Sequence, residues 1–218
     1  MEPLLPAQAR VVGCLLEKEL TTPDNYPLSM NSLLTACNQT SNRTPVVSYD
    51  EPTVSNAIEN LRAEGLVRVV YSRSNRVDKY RHVLDEVLDI DVAERAVLAV
   101  MLLRGPQTTA ELRARTERLH AFGDERAVEA VLEALARRQE PLVVRLERRP
   151  GQKEPRWAQL MCGVPAPEDY QPADEEPRVP RSERVSALET RIEALEEETA
   201  RLRADHEALD QRLRAVLE

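Results

Sequence analysis

Residues 17–43 read EKELTTPDNYPLSMNSLLTACNQTSNR, and this stretch decides the fold of the first part of the chain. Apolar residues at helical spacing lead into it and predict a first helix over about residues 7–19. Residues 22–25, TPDN, have the composition of a turn. Ser29 is suited to cap a second helix, and the side chains of that helix predicted to face inward are Leu33, Leu34 and Cys37.

The following segment predicts a third helix and a hairpin. Asp50 is suited to the N-cap of this helix, and Gly65 to its C-terminal end, where glycine readily takes the left-handed conformation. Residues 66–71 and 79–83 are predicted to form two strands, and Val46-Val47 a short strand before the third helix. Three helices followed by a hairpin have the element order of a winged helix.

The same stretch is similar to a known family. LEKE at 16–19, TTPDNYPLS at 21–29, ACNQ at 36–39 and SNR at 41–43 closely resemble the YceH-type family of bacterial proteins. The resemblance extends beyond this first module to a second globular module and reaches the C-terminal tail. It implies two winged-helix domains but no settled activity, so a function has to be argued from the residues themselves.

A second module repeats the pattern of the first. Arg95-x-Val97 corresponds to Arg10-x-Val12, Thr108 to Ser29 and Leu112 to Leu33, as in a diverged duplication. The predicted elements are a helix over about 92–103, a second helix from Thr108 to about 116, a third helix capped by Asp124, and strands over 142–147 and 156–160. Trp157 is interpreted as a core anchor under this hairpin, because a lone aromatic residue offers no series of stacking platforms.

The composition indicates a helical, cytoplasmic protein. Hydrophobic residues make up 42% of the 218 residues but aromatic residues only 3%, so the core must be built from Leu, Val and Ala. No apolar run is long enough to span a membrane, and the N-terminus has no signal-peptide pattern. The three cysteines lack the spacing of a disulfide framework or zinc site, as expected for reduced cytosolic thiols.

The net charge of −8 is unevenly distributed. Residues 163–218 carry 15 acidic and 8 basic side chains, whereas the preceding residues carry 23 acidic and 22 basic ones. The acidity therefore belongs to the tail. In the nearly neutral body, the clustering of basic groups decides whether a nucleic acid can bind.

The third helix and the hairpin of the first module hold the main candidate DNA contacts. In a winged helix, the third helix is the element that enters a major groove, where Asn recognises adenine and Arg recognises guanine. Basic hairpin residues hold phosphates, which supply most of the sequence-independent affinity. The candidates are Ser55, Asn56, Asn60 and Arg62 on the helix, Arg68, Arg73, Arg76 and Lys79 on the hairpin together with Arg81, and Arg43 in the polar loop.

The same features have a plainer interpretation. Solvent exposure alone favours polar residues on the outer face of a helix, and Glu51, Glu59 and Glu64 would repel phosphate. Many winged helices serve only to dock other proteins. In the second module the third helix carries three glutamates, which favours a backbone or protein contact over base recognition. The candidate contact residues of this module lie on its hairpin and are Arg145, Arg148, Arg149 and Lys153.

The C-terminal part predicts a linker followed by a coiled coil. Residues 163–181 are rich in Pro and acidic residues and are expected to be extended. Residues 182–218 keep a heptad with apolar a and d positions, and the predicted dimerisation residues are Val185, Leu188, Ile192, Leu195, Leu202, Leu209, Leu213 and Val216. Three of four g-to-e pairs, such as Arg184 with Glu189, are attractive in a parallel homodimer. The alternative is a single amphipathic helix folded back on the globular part.

No catalytic, cofactor or metal signature is present in the sequence. The six glycines are scattered and form no phosphate-binding loop. The three histidines lie far apart and lack metal-ligand spacing. Cys37 has no predicted base beside it and is interpreted as a buried packing residue rather than a nucleophile. We therefore expect no enzyme activity, no cofactor and no metal.

These observations predict a mainly α protein with small β-hairpins, of the α+β class. The expected organisation is a winged-helix domain over 1–85, a second over 86–162, a linker over 163–181 and a coiled-coil helix over 182–218. The expected function is that of a DNA-binding transcriptional regulator acting as a homodimer, with double-stranded DNA as its partner and no membrane association. The alternative is a protein-interaction scaffold that docks an unknown protein partner and has no role on DNA.

Overall fold

The structure combines helices with small antiparallel sheets, as predicted for this chain. A computed structural model describes residues 2–71, 77–148, 152, 154–164, 199 and 201. The chain divides into two compact units, residues 1–170 and residues 171–218. Within the described residues the first unit contains helices and small antiparallel sheets. None of the helices described in these ranges is long and apolar enough to cross a membrane.

The helices and strands follow the predicted order closely. The helices are α1 Pro6–Thr21, α2 Met30–Cys37, α3 Glu51–Ala63, α4 Leu84–Leu88, α5 Val92–Arg104, α6 Thr109–Thr116 and α7 Glu125–Ala136. The strands are β1 Leu28–Ser29, β2 Val67–Val70, β3 Lys79–His82, β4 Val143–Arg145 and β5 Trp157–Gln159. The short helix α4 was not predicted, because its single turn offers too few apolar positions to establish a period.

Side chains at the predicted N-caps fix where the helices begin. The side chain of Ser29 accepts a hydrogen bond from the backbone of α2, and that of Asp50 does the same for α3. Thr108 and Asp124 play this role for α6 and α7. Each such cap is typically worth about 1 kcal/mol, because it satisfies a backbone N–H that has no partner within the helix.

Helix α3 ends in the left-handed turn that leads into the hairpin. Gly65 has φ of 76°, its N–H donates to Arg62 O at 3.1 Å, and Leu66 N–H donates to Leu61 O at 2.8 Å. These two bonds are the pair that defines a Schellman motif, in which a residue with a Cβ would be strained at the glycine position. The turn therefore fixes the direction in which β2 leaves α3.

The first sheet differs from the prediction in its third strand. Its order is β1-β3-β2, all antiparallel, and its third strand is Leu28–Ser29 rather than Val46-Val47. The backbone around Val46-Val47 is bonded elsewhere: Thr44 N–H donates to Leu103 O at 2.8 Å, and Tyr49 N–H donates to Asn38 Oδ1 at 2.7 Å. The prediction of a strand there is wrong because these bonds hold the segment against α5 and the end of α2.

The second sheet is the hairpin β4–β5, extended by one bridge to the loop after α5. Gln107 and Trp157 exchange two backbone hydrogen bonds of 2.9 and 2.7 Å. Trp157 is buried beneath the hairpin, so its predicted role as a core anchor is confirmed.

The two halves of the first unit pack directly against each other through α1 and α5. A Cβ atom added at Gly13 would lie 2.9 Å from Leu103 Cγ, so the glycine permits the close approach of the two helices. At one end of this contact Arg95 Nη1 donates to Glu19 Oε2 at 2.6 Å. The same Glu19 oxygen lies 2.9 Å from Nε2 of the buried His82 on β3. The hydrophobic core is continuous across both halves.

Candidate nucleic-acid interface

The outward face of α3 carries most of the predicted base-reading residues. Asn56, Asn60 and Arg62 are exposed, and Ser55 is half-buried. The opposite face of α3 is buried, with Val54, Ala57, Ile58 and Leu61 in the core. Asn56 and Asn60 are one helical turn apart, so their amide groups lie on the same side of the helix.

The register of the hairpin places three basic side chains on its outer face. Arg68 lies opposite Arg81, and Val70 lies opposite Lys79. Residues directly opposite each other project from the same face, and neighbours along a strand project from opposite faces. Because Val67 and His82 are buried, the face that carries Arg68, Lys79 and Arg81 is the outer one.

Helix α3 and the hairpin share an open depression. Its volume is about 560 Å³, and its lining includes Arg62 and Glu59 from α3 and Arg68 and Tyr71 from the hairpin. Arg62 and Arg68 therefore border one surface although they come from different elements. Tyr71 is 75% exposed at the end of the hairpin. A helix face and a hairpin that share a surface can contact a single extended ligand.

Two hairpin arginines are paired with one carboxylate. Arg68 Nη1 donates to Glu86 Oε2 at 2.7 Å, and Arg81 Nη2 donates to Glu86 Oε1 at 2.7 Å. Glu86 belongs to α4. The hydrogen bond from Arg81, and after it the charge and hydrogen bond of Arg68, lower the pKa of Glu86. The carboxylate is therefore ionised at neutral pH and offsets part of the positive charge of the hairpin.

Arg43 must be removed from the candidate DNA contacts. It is 5% exposed, and its guanidinium donates to Glu17 Oε2 at 2.7 Å, Glu17 Oε1 at 3.0 Å and Ala36 O at 3.1 Å. Its donors are therefore used inside the protein and cannot reach a phosphate. The prediction failed because a polar loop was taken to be exposed. No local pattern in the sequence marks Glu17 and Arg43 as partners, because they lie 26 positions apart.

Cys37 lies in the core beside Cys14, and both thiols are fully buried. A hydrogen bond with Cys14, followed by burial, raises the pKa of the Cys37 thiol. Cys37 therefore remains a neutral thiol, and its burial confirms the packing position predicted for it. Within the described ranges, no group of three or more His, Cys, Asp or Glu side chains could hold a metal ion.

The second half presents a more mixed surface. Arg145 and Arg148 are exposed, and the guanidinium carbon of Arg145 lies 6.0 Å from the Trp157 ring centroid. An open depression of about 530 Å³ between α6, α7 and the hairpin is lined by three arginines and four carboxylates, namely Arg113, Arg126, Arg145, Asp124, Glu125, Glu129 and Glu154. Such a balance of charge does not favour a polyanion.

Several predicted residues lie outside the described part of the chain. These are Arg73 and Arg76 of the first hairpin and Arg149 and Lys153 of the second. The eight predicted dimerisation residues, Val185, Leu188, Ile192, Leu195, Leu202, Leu209, Leu213 and Val216, also lie outside it. Thr199 and Arg201, within the predicted heptad, are described and are helical.

Comparison with known proteins places the chain in a family. Residues 4–152 match the model of a family described as protein of unknown function, DUF480. The chain belongs to this family. It is 51% identical over 205 residues to a UPF0502 protein of Geobacter sulfurreducens, covering 93% of this chain and 91% of the relative. It is 46% identical over 203 residues to a UPF0502 protein of Burkholderia lata, covering 92% of this chain and 85% of that relative. The resemblance found in the 17–43 stretch is thereby confirmed.

Proposed function

We propose that this DUF480 protein binds double-stranded DNA and acts as a transcriptional regulator, and that each half of its first unit is a winged helix. The order of elements supports the fold assignment. In the first half α1, α2 and α3 precede the β2–β3 hairpin, and β1 adds a third strand. In the second half α5, α6 and α7 precede the β4–β5 hairpin, and Gln107 occupies the position next to β5.

In this proposal α3 is the element that enters the major groove. A helix fits the width of that groove, and an Asn amide can bond to both N6 and N7 of adenine. Asn56 and Asn60 are exposed one turn apart, and Arg62 is exposed near the C-terminal end of the helix on a different side from Asn60. Helix α7 is the weaker candidate, because its outward side carries Glu125, Glu129 and Glu133.

The hairpin would hold the sugar–phosphate backbone. The outer face of β2–β3 carries Arg68, Lys79 and Arg81, the arrangement of charge that phosphate contacts require. Such contacts position the protein without reading sequence. The hairpin therefore supplies affinity, whereas α3 supplies the choice of bases.

The observation that carries the proposal is the shared depression between α3 and the hairpin. Arg62 from the base-reading helix and Arg68 from the phosphate-binding hairpin line the same open surface. A duplex whose groove receives α3 would bring a phosphate backbone against the adjoining hairpin, so both elements would contact one ligand. If this surface only faced solvent, there would be no reason for basic residues of both elements to line it together.

The heptad in residues 185–216 completes the proposed function. A parallel coiled coil would join two chains and present two α3–hairpin surfaces to one duplex. Linking two weak sites converts the second binding step into an intramolecular one and raises the overall affinity. The role of a dimeric regulator depends on this association.

The test is duplex binding measured over a salt series with charge-reversal variants. Each phosphate contact contributes a slope of about −0.9 in a plot of log K against log salt concentration. Lys79→Glu should weaken binding to every duplex and flatten the slope by about one unit, whereas Arg62→Glu should weaken binding and reduce the discrimination between duplex sequences. The control is Arg118→Glu, which makes the same charge change at an exposed residue of the second half. Absent or salt-independent binding by the native chain would refute the proposal and favour the scaffold alternative.

A further inference from the structure

The Arg68–Glu86–Arg81 cluster has a geometry that suits more than a structural ion pair. One carboxylate spans two guanidinium groups, with each of its oxygens accepting one hydrogen bond of 2.7 Å. The two arginines face each other across β2 and β3. Like charges in directly opposed positions repel each other, so a two-oxygen anion between them stabilises their arrangement.

A phosphodiester offers the same pair of acceptors as a carboxylate. Both present two anionic oxygens on one central atom, and guanidinium groups bind both through parallel N–H···O bonds. Glu86 thus stands, within the protein, where an external oxyanion would be held. The side chains remain open to such a ligand: Arg68 is 55% exposed, Glu86 42% and Arg81 32%.

We propose that Arg68 and Arg81 form a binding site for a phosphate of the DNA backbone, and that Glu86 is an internal competitor that occupies it when DNA is absent. This inference rests on the proposed DNA binding and adds a determinant of affinity to it. Glu86 belongs to a five-residue helix and is exposed, so its side chain can rotate away when a phosphate replaces it. Glu86 then lowers the affinity for any duplex without affecting the choice of bases.

The size of the effect follows from the charge of the cluster. Neutralising Glu86 raises the charge of the three side chains from one positive unit to two, equivalent to about one further phosphate contact. The slope of log K against log salt should become steeper by about 0.9. The ratio of the affinity at 50 mM salt to the affinity at 200 mM salt then grows by about 3.5-fold. If the native chain and Glu86→Gln have equal affinity at 1 M salt, the affinity of the variant at 0.1 M salt is higher by about eightfold.

The experiment compares the full-length native protein with Glu86→Gln in the same salt series. Glu140→Gln is the matched control, because Glu140 is an exposed carboxylate that forms no ion pair in the described part of the chain. Glu86→Gln is also tested in an Arg68→Gln, Arg81→Gln background, where it should have no effect. Thermal melting checks that each variant is folded.

The outcomes separate this inference from the proposed function. Tighter and steeper binding by Glu86→Gln alone supports it. If the native chain binds a duplex and Glu86→Gln changes this binding no more than Glu140→Gln does, the inference is overturned but the proposed DNA binding stands. If no variant binds a duplex, the proposed function fails as well. In that case the protein is titrated with inorganic phosphate, and the arginine Nε–H signals are followed by NMR. Shifts of the Arg68 and Arg81 signals without any duplex binding would assign the two arginines to a free oxyanion and overturn the site for the DNA backbone.

Discussion

Replacing Glu17 with Gln should destabilise the first unit strongly, because the change leaves Arg43 charged in the core without its counter-ion. The Arg43 side chain is 0% exposed and the Glu17 side chain 11%. Removing one partner of a buried ion pair typically costs about 3 to 5 kcal/mol. Arg43 keeps its bonds to Ala36 O and Asn42 O, and a Gln amide oxygen can accept one bond. We therefore expect a loss of about 3 kcal/mol.

The assay is thermal and urea unfolding of the native chain, Glu17→Gln and the surface control Glu140→Gln. For a unit of this size a loss of about 3 kcal/mol lowers Tm by about 6 to 12 °C. A double replacement, Glu17→Met with Arg43→Met, should be less destabilising than Glu17→Gln, since it leaves no buried charge. A Glu17→Gln variant with the stability of the control would refute the assignment of this pair as a structural element.

The pH dependence supplies an independent check on the same pair. Burial is the largest single influence on Glu17 and acts to raise its pKa, but the hydrogen bonds and charges of Arg43 and Lys18 together lower it below the ordinary value of 4.5. A group whose pKa is lowered in the folded state contributes stability that is fully present above its ordinary pKa and is lost as pH falls through the folded-state pKa. The stability difference between the native chain and Glu17→Gln should therefore be constant above about pH 5 and shrink below it.

Three other changes test separate parts of the account. Gly13→Ala should lower the free energy of unfolding by about 1 kcal/mol, because the cost of overpacking between α1 and α5 exceeds the stability gained from the higher helix propensity of Ala. Gly123→Ala is the control: a Cβ at Gly123 has open space around it, so this variant should unfold at nearly the native temperature in the same melts. Trp157→Ala should cost about 3 kcal/mol or more through the cavity left under the second hairpin, and an unchanged Tm would contradict its anchoring role. Deleting residues 182–218 should yield a monomer by analytical ultracentrifugation with weaker duplex binding, and unchanged sedimentation would reject the coiled-coil dimer.

Local signals in the sequence were enough to predict most of the helices. Ser29, Asp50, Thr108 and Asp124 each cap a helix in the way that their side chains and positions indicate, because a cap needs only the backbone of the next few residues. Gly65 likewise ends α3 for a reason that is local, its access to positive φ. Elements decided by neighbours within a few residues can be predicted from one sequence.

The errors arose where distant segments meet. The pairing of Leu28–Ser29 with β3 joins residues about fifty positions apart, and no local pattern distinguishes it from the predicted strand at Val46-Val47. The burial of Arg43 depends on Glu17, which lies on a different element. The pairing of Glu86 with Arg68 and Arg81 was missed because α4 itself was not predicted. In each case the partner in three dimensions, and not the residue type, decides the role.

The candidate interface also combines features that local sequence signals predict with features that depend on distant contacts. Exposure of Asn56, Asn60 and Arg62 follows from the helical period of α3, so the sequence alone places them on the solvent side. The juxtaposition of Arg62 with Arg68 and the partial neutralisation of the hairpin by Glu86 required the tertiary structure. Sequence reasoning therefore identified the residue types of the surface but overestimated its free positive charge.

The most direct test of DNA binding by the first half is hydrogen–deuterium exchange of the full-length protein with and without a saturating duplex. We expect slower exchange in peptides from α3 and from β2–β3, and little change in peptides from α7. Exchange unchanged everywhere, or slowed in α7 but not in α3, would contradict this expectation.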